Sequence, residues 1–305
     1  MAYFLGIDTS AYTTSVAVAK DGEIVYFEKK LLDVKNGERG LRQSDAFFMH
    51  VNRLPELLEG IGKFDYKAIG VSAFPRDCEG SYMPVFRAGE SLALSLGKLL
   101  GVPVYRFSHQ KGHVVSAAYS AGCLPLLKSR INAFHVSGGT TEILLSDRLE
   151  IKRIGGSRDL NAGQAIDRVG VSLGLPFPSG KYLEELAKNG KPVKKPKICV
   201  DKLECSLSGL ENLAAGLIKE GESRENTAYY TLDFIKNTLD ALSENLRKEY
   251  GLPILYAGGV MSNSMIKDCL KKRDDVYFAE PRFSSDNAAG AALLAYFETE
   301  GYIDG

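Results

Sequence analysis

At 305 residues the chain can bury most of its surface, and it lies near the size where one core usually splits into two. With 45% hydrophobic residues and 38 basic side chains balancing 38 acidic ones, it has an ordinary globular composition and no global field that draws in nucleic acid. No apolar run approaches the roughly eighteen residues of a membrane span, and no basic-then-apolar leader opens the chain. Cys78, Cys123, Cys199, Cys205 and Cys269 lack CxxC spacing, which argues against a disulfide framework or a zinc knuckle and for free thiols in a reducing cytoplasm.

In chain order, strands are expected at 3–8, 14–19 and 23–29, the last two joined by Lys20-Asp21-Gly22, a hairpin signal. A helix with apolar residues at helical spacing follows over 43–60. Ala68-Ile69-Gly70-Val71-Ser72 reads as a buried strand, 85–100 as a helix, and Val102-Pro103-Val104-Tyr105 as a short strand, with a further helix starting near His109. The second half repeats this order. Strands are expected at 131–136 and 142–154, then helices at 161–173, 180–188, 209–219 and 226–249. Leu252 to Tyr256 reads as a buried strand, 263–271 as a helix, 276–278 as a strand, and a last helix starts at Ser285.

The order repeats because the sequence does. Gly6-Ile7-Asp8-Thr9-Ser10, with the strand after it, returns as His135-Val136-Ser137-Gly138-Gly139-Thr140: a strand, a turn of small or hydroxyl residues, a second strand. Such a turn lets backbone N–H groups approach an anion closely. The closing helices repeat as well, Ser108-His109 matching Ser285-Asp286. The expected architecture is α/β and two-lobed, with duplicated subdomains, like actin, hexokinase and the heat-shock chaperone ATPases (the ASKHA fold). The expected lobes are 1–125 and 126–305, with the final helix 285–299 packing back across the cleft.

Two features carry chemistry. His109 and His113 stand four apart on a helix, so both imidazoles share one face; His135 and Asp286 complete a candidate donor set that suits iron or zinc better than magnesium. The competing reading is a pair of polar surface histidines; Gln110, where a metalloprotease needs Glu, removes a peptidase. His50 reads as structural. The nucleotide candidates are Asp8, Thr9 and Ser10 in the first turn, His135, Val136, Ser137, Gly138, Gly139 and Thr140 in its copy, and the diglycine Gly258-Gly259. Asp167, on a helix, is a candidate acceptor for ribose hydroxyls, or else an exposed carboxylate paired with Arg168 or with solvent.

These motifs, taken in order, resemble the TsaD threonylcarbamoyltransferases, once described as glycoproteases, from Leu5 to about Ala295. The resemblance rests on Leu5-Gly6-Ile7-Asp8-Thr9-Ser10, the histidine motif at 109–113, and Val136-Ser137-Gly138-Gly139-Thr140-Thr141. It continues with Ala162 to Arg168, Ser206-Leu207-Ser208-Gly209-Leu210, Ala257-Gly258-Gly259-Val260-Met261-Ser262-Asn263 and Ser285-Asp286-Asn287-Ala288-Ala289. The resemblance implies an iron or zinc ion on His109, His113 and Asp286, with His135 where some members carry a tyrosine ligand. It implies nucleotide or acyl-adenylate contacts at 135–139, Asp167, Gly180 and Asn263, with ATP, AMP or an acyl-adenylate bound and magnesium as a further candidate. The implied reaction moves threonylcarbamoyl from its adenylate to N6 of an adenosine in tRNA. The implied partner is a related ASKHA protein (TsaB-like) or a second copy, through the N-terminal lobe.

Three departures bear on activity. Tyr12 stands where the family has an aspartate, leaving the catalytic residue unassigned; Gln164 replaces a glutamate; and Phe74 to Tyr82 brings charge where the family has a Gly-Pro-Gly turn. They point to a diverged paralogue, with a non-catalytic ATP-binding partner protein as the alternative and a small-molecule kinase of the same fold ranked last. The basic loop 188–197 reads as solvated or as a contact for RNA phosphate.

Overall fold

A computed structural model describes residues 2–10, 12–33, 41–284 and 288–303. The chain divides into two compact units, one of residues 1–129, 147–151 and 282–305, the other of residues 130–146 and 152–281.

The first unit is built on β1 (Tyr3–Asp8), β2 (Thr13–Lys20), β3 (Glu23–Leu31), β4 (Tyr66–Phe74) and β5 (Val104–Ser108), in the order β3-β2-β1-β4-β5. β1, β2 and β3 run antiparallel in turn, whereas β4 lies parallel to both β1 and β5. The β2–β3 turn has positive φ at both Asp21 and Gly22, the geometry that suits the twist of a tight hairpin. On one face α1 (Gln43–Glu59) and α2 (Phe86–Leu100) bury Leu5, Ile7, Val16, Val18, Ile69 and Val71 against Leu54, Leu57, Ala88 and Ala93. His50 is buried on α1 with Nδ1 2.8 Å from the Thr14 hydroxyl, in keeping with its structural reading.

The opposite face receives α9 (Ala289–Glu300), so β1, β2 and β4 are covered on both sides and read as continuous apolar runs. The helix lies close because Gly6 and Gly70 are direct cross-strand partners. A Cβ at Gly6 would stand 2.3 Å from the Ala288 carbonyl oxygen, and one at Gly70 would stand 2.0 Å from that of Ala291. Both approaches are sterically closed to any larger residue. The histidine-bearing helix α3 (His109–Ser120) is held in the same way: a Cβ at Gly290 would meet the Gly112 carbonyl oxygen at 2.0 Å.

The second unit repeats the plan with β6 (Arg130–Val136), β7 (Thr141–Asp147), β8 (Glu150–Ser157), β11 (Ile254–Ala257) and β12 (Val276–Phe278). Its sheet runs β12-β11-β6-β7-β8-β10-β9, so β8-β7-β6-β11-β12 has the same order as β3-β2-β1-β4-β5. The extra strands are β9 (Cys199–Asp201) and β10 (Glu204–Ser206). Helices α4 (Ala162–Ser172), α5 (Gly180–Ala187), α6 (Gly209–Lys219), α7 (Arg224–Tyr250) and α8 (Ser264–Leu270) surround a core that includes Phe134, Val136, Ile166, Phe234 and Tyr256.

One expectation is corrected, and two short strands join those expected. The stretch expected as one strand over 142–154 is a hairpin turning at Arg148 and Leu149, both with positive φ. Neither is a Gly or Asn, so the turn leaves no compositional mark. The short strands β9 and β10 fall below the length at which alternation can be read. The last helix, read from Ser285, is described from Ala289; residues 285–287 lie outside the described residues.

Gly70→Ala is expected to destabilise the protein by about 3 kcal/mol through overpacking against α9. Urea denaturation measures this, and an unchanged midpoint would show that α9 is seated elsewhere.

Candidate functional site

In the first unit the chemistry gathers where β5 runs directly into α3. Ser108 caps the helix, its hydroxyl accepting from the Lys111 N–H at 3.1 Å. One turn apart on α3, the His109 and His113 rings are 4.2 Å between centroids and steeply inclined. His113 is buried and the His109 side chain only 17% exposed, so the polar-surface reading does not describe them.

Asp8, at the end of β1, faces His109: Oδ2 lies 2.8 Å from the imidazole Nδ1. The same oxygen accepts from the Ser72 hydroxyl on β4, and Oδ1 accepts from the Ser10 N–H at 2.8 Å and from its hydroxyl. Burial raises the Asp8 pKa, but the charge and hydrogen bond of His109, with the Ser10 and Ser72 hydroxyls, outweigh it and hold the carboxyl below its ordinary range. A carboxylate so engaged is an orienting group for an imidazole and a poor general base. Thr9 is likewise committed inside the unit, donating to the Val85 carbonyl at 3.0 Å and accepting from the Gly89 N–H at 3.1 Å. Tyr12 is 42% exposed, and its carbonyl accepts from the Leu32 N–H.

The imidazole pair suits a transition metal as two donors of a set. A ligating histidine commonly has its second ring nitrogen held by a carboxylate, the relation seen between His109 and Asp8. Asp286 lies outside the described residues, and His135 is the penultimate residue of β6 in the second unit, opposite Ala257 on β11. Among the described residues no three His, Cys, Asp or Glu side chains form a metal-binding group.

In the second unit the turn 137–140 is closed by Ser137 N–H donating to the Thr140 carbonyl at 2.8 Å, while Gly139 N–H donates to the Ser137 hydroxyl at 3.3 Å. A Cβ at Gly138 or Gly139 would meet nothing within 4 Å, so this backbone borders open space. The α4 N-terminus sits on the turn. Gly163 N–H donates to the Ser137 carbonyl at 3.1 Å, Ala162 N–H donates to the Thr141 hydroxyl at 2.8 Å, and Gln164 closes a capping box with Asn161. These bonds occupy the first-turn donors of α4, so its N-terminus offers an anion little. Gln164 fills here the capping role that a glutamate would also fill.

Asp167 accepts from the Ser179 N–H at 2.7 Å, at the start of α5. Burial raises its pKa, opposed by the amides of Ser179 and Gly180. Arg168 pairs instead with Glu211 at 3.1 Å, correcting the alternative that joined it to Asp167. Asn263 caps α8, its side-chain oxygen accepting from Ile266 N–H at 3.1 Å, and Glu184 of α5 accepts from Ser264 N–H at 2.8 Å. Asp167, Gly180 and Asn263 thus belong to one bonded assembly of α4, α5 and α8. Gly258 has positive φ, and a Cβ there would strike the Val136 carbonyl oxygen at 2.2 Å, whereas Gly259 is open. The basic loop is partly neutralised by the pairs Lys188–Glu185 and Lys194–Glu220.

Sequence reasoning missed Asp159. It accepts from Leu160 N–H at 2.6 Å, Leu207 N–H at 2.8 Å and both donors of Ser208, tying the end of β8 to the Ser206–Leu210 motif. Partial burial raises its pKa, but these hydrogen bonds outweigh it and hold the carboxyl at about 2. The folded pKa lies below the unfolded one, so this contribution is complete above the unfolded carboxylate range and is lost as pH falls toward about 2. Asp159→Asn is expected to flatten the fall in stability between about pH 5 and pH 2, measured by urea midpoints across that window.

The family model described as tRNA N6-adenosine threonylcarbamoyltransferase, TsaD, matches residues 58–293. A relative of that name from Kosmotoga olearia is 30% identical, covering 96% of this chain and 92% of its own length. One from Geobacillus thermodenitrificans is 28% identical, covering 97% and 92%. Among solved structures, HypF from T. kodakarensis aligns over 99% of this chain and 48% of its own, with 15% identity and a TM-score of 0.65. A ROK family glucokinase from Streptomyces griseus aligns over 97% and 99%, with 13% identity and a TM-score of 0.54. These structural likenesses establish the actin-like ASKHA fold.

Proposed function

Because the chain belongs to the TsaD family of tRNA N6-adenosine threonylcarbamoyltransferases, we propose that it moves a threonylcarbamoyl-type group from an acyl-adenylate to N6 of an adenosine in tRNA. The observation that carries this reading within the family is the His109–His113 pair, His113 buried and His109 largely so, with Asp8 orienting His109. That arrangement has no use in a small-molecule kinase.

In the proposed reaction the amine nitrogen attacks the carbamoyl carbonyl carbon. A C–N bond forms, the C–O bond to the adenylate phosphate breaks, AMP leaves with the electron pair, and the nitrogen gives up a proton. The leaving group is already good, so the protein's work is orientation and charge stabilisation. His109 and His113, joined by Asp286, would hold an iron or zinc ion, which when bound supplies Lewis acidity and a template for phosphate or carbamoyl oxygen. Asp8 keeps the His109 ring in one orientation, and its own oxygens are engaged by Ser10, Ser72 and His109, so the amine proton goes to the departing phosphate or to solvent.

The open turn at Gly138-Gly139 suits close approach of a phosphate, and the Asp167–Gly180–Asn263 assembly suits a nucleoside; magnesium could accompany the nucleotide. The proposed protein partner, a related ASKHA protein or a second copy, has a surface to meet on the first unit, where Phe47, Phe48 and Val51 are exposed on α1.

In cells lacking their own threonylcarbamoyl modification but retaining the enzymes that make the adenylate, this chain is expected to restore modified adenosine in digested tRNA. His113→Ala should lower the yield by about 100-fold or more. Failure of the folded wild-type chain to restore any modification would refute the reading.

A further inference from the structure

The charged segment 74–82 is bonded to the same helix end that carries His109. The Ser108 hydroxyl donates to Asp77 Oδ2 at 2.9 Å while accepting from Lys111 N–H at 3.1 Å. Lys111 Nζ lies 3.8 Å from the same Asp77 oxygen, and Gln110 N–H donates to the Pro75 carbonyl at 3.1 Å. The segment is itself closed by Arg76 N–H donating to the Ser81 hydroxyl at 2.9 Å and Ser81 N–H donating to the Cys78 carbonyl at 3.2 Å. The first turn of α3 is therefore gripped from outside through residues 108, 110 and 111, on either side of His109.

We propose that Asp77 is a positioning residue for the imidazole pair. By holding the capping hydroxyl of Ser108 it fixes the direction in which α3 leaves β5, and that direction brings His109 Nδ1 to Asp8 Oδ2 at 2.8 Å. A serine hydroxyl has one proton to give, and Asp77 takes it, so the Ser108 lone pairs are aimed at the helix amide instead of rotating freely. A neutral acceptor at 77 would retain the bond and lose the attraction to Lys111. Removing the acceptor would release both. The segment that distinguishes this chain from the family pattern thus sets the geometry of residues kept from that pattern.

This inference rests on the metal reading for one of its two tests and is independent of it for the other. Purified full-length wild type, Asp77→Ala and Asp77→Asn would be titrated with zinc against a competing chelator. Affinity is expected to fall about 10-fold in Asp77→Ala, the lower end of the range for groups that orient a ligand, and less in Asp77→Asn. In the metal-free proteins, at a pH that leaves the imidazoles neutral, long-range proton–nitrogen spectra should show His109 as a single Nδ1–H tautomer in wild type. They should show a mixture in Asp77→Ala, with thermal unfolding recorded to confirm that each variant is folded. If wild type takes up no zinc, the metal reading fails and the tautomer spectra alone decide. A folded Asp77→Ala with the wild-type His109 spectrum overturns the proposal, whatever the zinc titration reads; Asp77→Leu, of similar size and with no acceptor, serves in its place should Asp77→Ala not fold.

Discussion

Close backbone contact at Gly6, Gly70 and Gly290 governs the first unit. At each position a Cβ would come within 2.3 Å of a carbonyl oxygen, a distance no rotamer can relieve because the obstacle is main chain. The pair Gly6–Gly70 admits α9 to the sheet, and Gly290 then seats α9 on α3 at Gly112, between the two histidines. A helix close to the end of the sequence thereby becomes part of a core begun by its first strand. The same contact brings the start of α9 against the turn that carries His109 and His113.

Electrostatics builds on that packing. Asp8 is almost wholly buried, a position in which a carboxylate is tolerated only when its lone pairs are engaged. Ser10 comes from its own turn, Ser72 from the neighbouring parallel strand, and His109 from the helix that follows the next strand over. Three separate elements must be in register for one carboxylate to be satisfied. The cost of failure makes the constellation specific: an uncompensated charge at Asp8 would be among the most expensive defects the unit could carry.

Duplication gave both units the same strand order, yet their turns do different work. After β1 the residues Asp8, Thr9 and Ser10 face inward and bond within the unit, whereas after β6 the glycines 138 and 139 border open space. A hydroxyl or carboxylate can lock neighbouring elements together, and a glycine leaves its backbone approachable. The same hairpin pattern is thus an internal fastening in one unit and an accessible loop in the other.

Strand and helix order was legible in the sequence because apolar periodicity is local, and the repeat was legible because its motifs recur in order. The i to i+4 spacing of His109 and His113 alone dictates that they share a helix face. Other features depended on contacts between distant residues. The hairpin turn at Arg148-Leu149 has no sequence mark, since positive φ there is imposed by the strands it joins. Gln164, a missing acid by the family pattern, also closes a capping box with Asn161, a local contact three residues apart that does not depend on the fold. Asp77 and Asp159 are ordinary carboxylates along the chain, and Asp8 stands there as a nucleotide candidate; parallel pairing and loop closure gave all three their partners. Local chemistry determined which elements form and which side chains could bind, while tertiary structure decided which polar groups are occupied internally, since hydrogen-bond partners are chosen by proximity in space.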